Sequence, residues 1–215
     1  MGTPVYTRIL ALLEAEGIKA VFGIPDPNFV HLFVEAEKRG WTVVTPHHEL
    51  AAGFMAEAYT RMNGTPALCI ATLGPGIALT AGSMMNSLVE NSPVIYMGGQ
   101  RARITERRVR RGRIQFIQQE GLFKNSVKWS ASIEYADQTD EIIRQALRVC
   151  QSGTPGPVYI EYPSHIIQQE LEVPPALPPS SYRLVEPGAD GDRVAKAVKL
   201  IQDAECPILL IGHAV

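Results

Sequence analysis

The sequence predicts an α/β protein built on a parallel sheet flanked by helices, with the start of a second α/β domain after it. Three observations lead there. Short apolar runs alternate with segments of helical period over most of the 215 residues, and strands that alternate with helices make βαβ units with parallel strands. Glycine or proline follows most of the apolar runs, where a strand hands over to a helix. A proline-rich stretch, Leu171-Glu172-Val173-Pro174-Pro175-Ala176-Leu177-Pro178-Pro179, then separates this pattern from one more helix and one more apolar run, as an extended linker does.

In chain order, Tyr6, Ile9, Leu10, Leu12 and Leu13 recur at helical spacing, and Gly17 is a stop. Ala20-Val21-Phe22 is a short buried strand ending at Gly23. Residues 27–38 read as a helix opened by Asp26 or Pro27, with Phe29, Leu32, Phe33 and Ala36 on one face. Residues 41–45 form a strand, 49–62 an alanine-rich helix and 67–71 a strand. Gly74-Pro75-Gly76 opens a helix that runs to about Val89, and 93–97 is a strand. A polar stretch from 98 to 121 breaks the rhythm. It resumes with a strand at 127–131, a helix at 139–150 and a strand at 158–161. Beyond the prolines, 192–203 is helical and 207–211 is an apolar strand. The domains are therefore residues 1–166, a linker at 167–189, and 190–215 as the opening of a second domain, cut short.

Twenty Lys and Arg against 22 Asp and Glu give a net charge of -2, so no global charge directs the chain to nucleic acid or an anionic membrane. No apolar run is long enough to span a bilayer. The start, Met1-Gly2-Thr3-Pro4, lacks the basic-then-apolar order of a signal peptide. Cys69, Cys150 and Cys206 are scattered, without CxxC or metal-ligand spacing, which suits a reducing compartment. The expected location is the cytoplasm.

Ligands of such sheets bind beyond the carboxyl ends of the strands. That rule selects the loops at 23–27, 46–49, 72–76 and 98–115. Glu49 stands at a strand-to-helix junction, where two readings are open. An acid in a first helical turn complements the positive end of the helix dipole; alternatively, its carboxyl faces a ligand and shares a proton with a ligand nitrogen. Thr72-Leu73-Gly74-Pro75-Gly76 is either a tight turn or a backbone cradle for a ligand; it is neither GxGxxG nor a P-loop. His47 and His48, as sequence neighbours, point apart and make a poor chelating pair. No metal site is expected among these residues. Seven arginines lie between Arg101 and Arg113, read as a solvated or subunit-facing surface, or as an anion site. No aromatic residues interleave with them as in single-strand nucleic-acid binders.

The run His48-Glu49-Leu50-Ala51-Ala52-Gly53-Phe54-Met55-Ala56-Glu57-Ala58-Tyr59 resembles the segment around the catalytic Glu of thiamine-diphosphate enzymes, such as acetohydroxyacid synthase, pyruvate oxidase and benzoylformate decarboxylase. Four more segments are similar, in the family's order: Val21-Phe22-Gly23-Ile24-Pro25, Thr72-Leu73-Gly74-Pro75-Gly76, Ser92-Pro93-Val94-Ile95-Tyr96-Met97-Gly98-Gly99-Gln100 and Gly156-Pro157-Val158-Tyr159-Ile160-Glu161-Tyr162-Pro163. The resemblance covers residues 4–165 and implies the N-terminal, pyrimidine-binding domain.

The resemblance further implies decarboxylation or carboligation of a 2-oxo acid, acetolactate-synthase-like, with Glu49 hydrogen-bonded to N1′ of the cofactor's aminopyrimidine. Pro25, Thr72, Gly74 and Gly76 would line the cofactor, and His48 and Gln115 would face substrate. Mg²⁺ would be held outside this chain segment, and FAD is a further cofactor of some members. The partner implied is a second copy, in a homodimer or homotetramer with the cofactor at the subunit interface. Three departures stand out: Asp26-Pro27 where many members have Gly-Gly, Leu79 where acetohydroxyacid synthases have Asn, and Phe116 rather than Glu after Gln115. The alternative is a non-catalytic domain of the same fold, serving the assembly or regulation of a separate catalytic subunit.

Overall fold

The computed structural model describes residues 2–102, 114–184 and 188–212. Its elements are β1 (Thr3–Pro4), α1 (Val5–Ala15), β2 (Ala20–Gly23), α2 (Val30–Lys38), β3 (Thr42–Val44), α3 (Glu49–Asn63), β4 (Leu68–Ala71), α4 (Pro75–Ala78), α5 (Ala81–Val89), β5 (Ile95–Gln100), α6 (Gln119–Phe123), β6 (Trp129–Ser132), α7 (Thr139–Gln151), β7 (Val158–Pro163), β8 (Glu170–Leu171) and α8 (Gly191–Asp203). They fall into two compact units, which divide between Arg183 and Leu184.

The first unit is the parallel sheet with helices on both faces that the alternation predicts. Six strands run in the order β3-β2-β4-β5-β7-β6, and every neighbouring pair is parallel. The two-residue period of the strands divides the core. Val21, Leu68, Ile70, Ile95, Met97, Val158 and Ile160 pack with α1, α2 and α7 on one face. Ala20, Phe22, Cys69, Ala71, Tyr96 and Tyr159 pack with α3, α5 and α6 on the other. A sheet covered on both faces needs strands that are apolar throughout, and all four residues of β2 and of β4 are buried. Burial pushes the thiols of Cys69 and Cys150 well above their ordinary range; Cys206 is exposed.

β3 lies on one side of β2 and β4 on the other. The chain therefore reverses direction across the sheet between β2 and β4. Such a reversal is the usual ligand site of an open α/β sheet.

Several local features differ from the sequence expectation, each for a physical reason. α2 begins at Val30, not Pro27, because the Asp26 carbonyl accepts from Phe29 N at 3.0 Å and Val30 N at 2.8 Å, and its carboxylate accepts from Asn28 N. The helix expected from Gly76 to Val89 is broken between α4 and α5, where Thr80 Oγ1 donates to the Ile77 carbonyl at 2.7 Å; such back-bonding competes with helical pairing. β5 continues through Gly98 and Gly99 to Gln100, paired with Glu161, Tyr162 and Pro163 of β7. Residues expected to form the linker return to the first unit. β8 pairs antiparallel with β1, the Tyr182 hydroxyl donates to Glu16 Oε1 at 2.5 Å, and Arg183 pairs with Glu16. In the second unit, α8 is capped by Asp190, whose carboxylate accepts from Asp192 N and Arg193 N. Residues 207–211 are exposed and form no strand, because no described strand of that unit is there to pair with them.

α1 is clamped to α7 by the Arg8–Asp140 pair, 2.6 and 2.5 Å apart through two parallel bonds, with Arg144 also on Asp140. Burial pushes the Asp140 carboxyl up, but the bonds and charges of Arg8 and Arg144 outweigh it and hold it below its ordinary value. A depressed carboxyl stabilises the fold fully above its unfolded value, near 4, and that contribution is lost as pH falls through the lower folded value. Asp140→Asn is thus expected to lower stability by about 3 kcal/mol at neutral pH. Urea unfolding at a series of pH values should show the gap to wild type closing below about pH 4. A gap that does not depend on pH would show that the charge is not what holds α1 to α7.

Candidate active site

The carboxyl ends of β2, β3 and β4 bring together Pro25, Asp26, Glu49, Thr72 and Gly76. Glu49 is the first residue of α3, and its side chain is half-buried. The helix opens there because His48 is in an extended conformation and its Nδ1 accepts from Leu50 N at 3.1 Å. His48 therefore caps α3 with one ring nitrogen and keeps Nε2 for another partner. His47 is exposed.

After β4 the chain turns sharply. Gly74 has φ +64° and ψ -117°, which a side chain would oppose. A Cβ on it would also lie 2.1 Å from the Gln115 carbonyl oxygen. Gly76 is needed for space: a Cβ there would meet Thr72 Cγ2 at 2.3 Å and Glu49 Oε1 at 3.4 Å. The Thr72 methyl fills the space that a Gly76 side chain would take, and the Glu49 carboxylate lies next to it. Thr72 also reaches the loop after β2, its hydroxyl donating to Asp26 Oδ2 at 2.6 Å.

Gly74 N–H is occupied, since it donates to Gln119 Oε1 at 2.6 Å. This argues against reading the loop as a phosphate cradle. Gln119 is fully buried, and its Nε2 lies within hydrogen-bond distance of the Gly99 carbonyl (3.0 Å), the Tyr159 hydroxyl (2.9 Å) and Glu161 Oε2 (3.2 Å). One side chain therefore ties the ends of β4, β5 and β7. Burial, then the Glu161 charge, pushes the ionisation of Tyr159 far up, so its hydroxyl stays protonated. Gln119 is the residue that sequence reasoning missed. The available signal was Gln119 and Phe123 at i and i+4 in a polar stretch, the spacing of one helix face; both are buried on α6.

Gln115 is exposed, with φ +62°, and its carbonyl lies over Gly74. Of the arginine cluster, Arg101 is described: its Nε donates to the Ile114 carbonyl at 3.0 Å. Arg103, Arg107, Arg108, Arg110, Arg111 and Arg113 lie outside the described residues.

The half-buried Glu49 carboxyl thus lies at a strand-to-helix junction, beside the Gly74-Pro75-Gly76 turn and at the point where the strand order of the sheet reverses. The family model "Thiamine pyrophosphate enzyme, N-terminal TPP binding domain" matches residues 4–124, and the chain belongs to that family. It is 30% identical to 2-hydroxyacyl-CoA lyase 2 of Danio rerio, over 95% of this chain and 38% of that protein. It is also 30% identical to the probable acetolactate synthase large subunit of Methanococcus aeolicus, over 96% of this chain and 35% of that protein. Among solved structures it resembles the thiamine diphosphate-dependent 4-hydroxybenzoylformate decarboxylase of Rhodococcus jostii RHA1, with TM-score 0.78 and 26% identity over 98% of this chain and 40% of that one. The chain thus spans less than two-fifths of the length of these curated relatives.

Proposed function

We propose that this chain forms the pyrimidine-binding half of the active site of a thiamine-diphosphate enzyme that decarboxylates or ligates 2-oxo acids, in the manner of acetolactate synthase. The observation that carries this reading is the Glu49 carboxylate, whose Oε1 is 3.4 Å from the point a Gly76 Cβ would occupy. The residues fit an aminopyrimidine. A ring nitrogen needs a carboxyl with which to share a proton, and Glu49 offers one, half-buried beside the close-packed Thr72 and Gly76. When bound, thiamine diphosphate supplies a thiazolium carbon that adds to the substrate carbonyl and holds the electron pair released when the carbon–carbon bond breaks. Glu49 holds the proton at the pyrimidine N1′ position. Pro25 and Thr72 form the wall toward β2, and Gly74 fixes the turn that places Gly76. His48 Nε2 and the Gln115 side chain are the groups of this chain that would reach substrate. Mg²⁺ would join the cofactor's diphosphate on residues outside this chain. We place the protein in the cytoplasm on its three cysteines without a pairing pattern.

A second copy completes this reading. Small residues on α3 and α5 suit close packing at such an interface; of these, Ala52, Gly53, Ala56 and Ser83 are buried within the chain, Ala51 and Ala81 are half-buried, and Gly82 is exposed. The outer faces of α3 and α5, by contrast, expose Phe54, Met55, Met62, Met85 and Val89, apolar side chains of the kind a subunit interface covers. The intact protein with thiamine diphosphate and Mg²⁺ is expected to release CO₂ from a 2-oxo acid, and to sediment as a dimer or tetramer. Cofactor-independent turnover would sink the chemistry, and a strictly monomeric active species would sink the interface.

A further inference from the structure

Asp26 follows Pro25 in the loop after β2. Its carboxylate is fixed by three donors: Thr72 Oγ1 at 2.6 Å on Oδ2, and Asn28 N at 2.7 Å and Nδ2 at 2.5 Å on Oδ1. Among the described residues, no lysine or arginine pairs with it. Thr72 turns its hydroxyl to Asp26 and its methyl to Gly76, next to Glu49 Oε1. The two carboxyls thus flank one threonine beyond the carboxyl end of β4. On its inner side Asp26 faces low-dielectric core: burial first, and then the Asp26 charge, pushes the ionisation of Tyr162 up. The Tyr162 hydroxyl is buried and has no hydrogen-bond partner among the described residues. A hydrogen-bonded charge with no counter-ion among the described residues, half-buried against such a wall, is poorly screened and strongly disfavours a second negative charge nearby.

From this we infer that Asp26 is a specificity-determining residue of the Glu49 site, admitting substrates with a single carboxylate and rejecting those that carry a second at their far end. The inference rests on the reading of Glu49 above. It assigns the substrate class as monocarboxylic 2-oxo acids with an uncharged side group.

The test uses the intact protein loaded with thiamine diphosphate and Mg²⁺, titrated calorimetrically with propionate and with malonate as unreactive one- and two-carboxylate probes. Wild type should bind propionate at least ten-fold more tightly than malonate. Asp26→Asn keeps the size and an acceptor oxygen but removes the charge, and should cut that preference by roughly ten-fold. Asp26→Ser, whose hydroxyl also accepts from a backbone N–H two residues on, should do the same and serves if the Asn variant fails its thermal melt. A preference unchanged in a folded variant overturns the inference, as does the absence of any preference, or of any binding, in wild type. If thiamine diphosphate still binds wild type and Glu49→Gln still lowers turnover by ~10²-fold or more, only the role of Asp26 has failed. If the cofactor itself does not bind, the reading of the site has failed with it.

Discussion

Glu49→Gln in the intact enzyme is expected to lower turnover by ~10²–10⁴-fold, the usual contribution of a positioned acid–base group, with little change in the thermal melt. The two side chains have nearly the same shape, so the half-buried packing beside Gly76 is kept. What disappears is a carboxyl able to hold and release a proton. Glu49 also sits in the first turn of α3, and an acid there complements the helix dipole by roughly 0.3–1 kcal/mol. The two roles therefore separate by measurement. The dipole role predicts a small loss of stability and normal chemistry; the acid–base role predicts the reverse. Proton exchange at C2 of bound thiamine diphosphate reads the activation step directly, and cofactor affinity by calorimetry reads binding. Exchange within a few-fold of wild type, with a shifted melt, would reduce Glu49 to a helix-start residue.

How much of this was legible in the sequence depends on the range of the interactions. The parallel sheet was readable because β2 and β4 are apolar throughout, β5 and β7 are apolar apart from Gln100 and Glu161, and strands alternate with helical periods over most of the first unit; both signals are local. The positions of Glu49 and Gly76 at strand ends were readable because a strand end, a helix start and a glycine turn are local signals, but those signals left two readings of each open, and the cofactor role came only from the family resemblance. Sequence gave no access to pairings over long separations. Thr72 meets Asp26 across 46 residues, and Gly74 meets Gln119 across 45, with no local pattern to announce either. The return of Glu170–Leu171 to pair with Thr3–Pro4 was hidden for a different reason: the prolines that follow it read as an extended linker, and extended chain also pairs as a strand. The small residues of α3 and α5 carry a third lesson. Ala52, Gly53 and Ser83 do mark close helix packing, but composition cannot say whether the partner helix is in the same chain. Here a Cβ on Gly53 would lie 1.9 Å from Ser83 Oγ, so the partner is α5.

Gln119→Leu is expected to cost at least about 3 kcal/mol of stability and to weaken thiamine-diphosphate binding as well. The side chain is wholly buried, and leucine fills nearly the same volume, so no cavity drives the effect. The loss is polar. Gly74 N–H loses its acceptor, and the Gly99 carbonyl and the Tyr159 hydroxyl each lose a donor. Each buried group stripped of a partner costs ~1–3 kcal/mol, and three are affected together. Gln119→Glu separates the two ends of the amide. It keeps an oxygen for Gly74 N–H but sets a second carboxyl against Glu161, where Gln119 Nε2 now lies 3.2 Å from Oε2. Burial and the like charge would raise the folded-state pKa of the new carboxyl above its unfolded value. Its stability would then be greatest in acid and fall as pH rises through that raised value. Urea unfolding should therefore place the Glu variant nearer wild type at low pH than at neutral pH, while the Leu variant stays destabilised throughout. The turn that carries Gly74 and Gly76 is held from behind by this one side chain, so cofactor affinity should fall in the Leu variant even where the protein remains folded. A Leu variant within about 1 kcal/mol of wild type, below the cost of even one lost partner, would mean that Gln119 fills space and does not hold the turn.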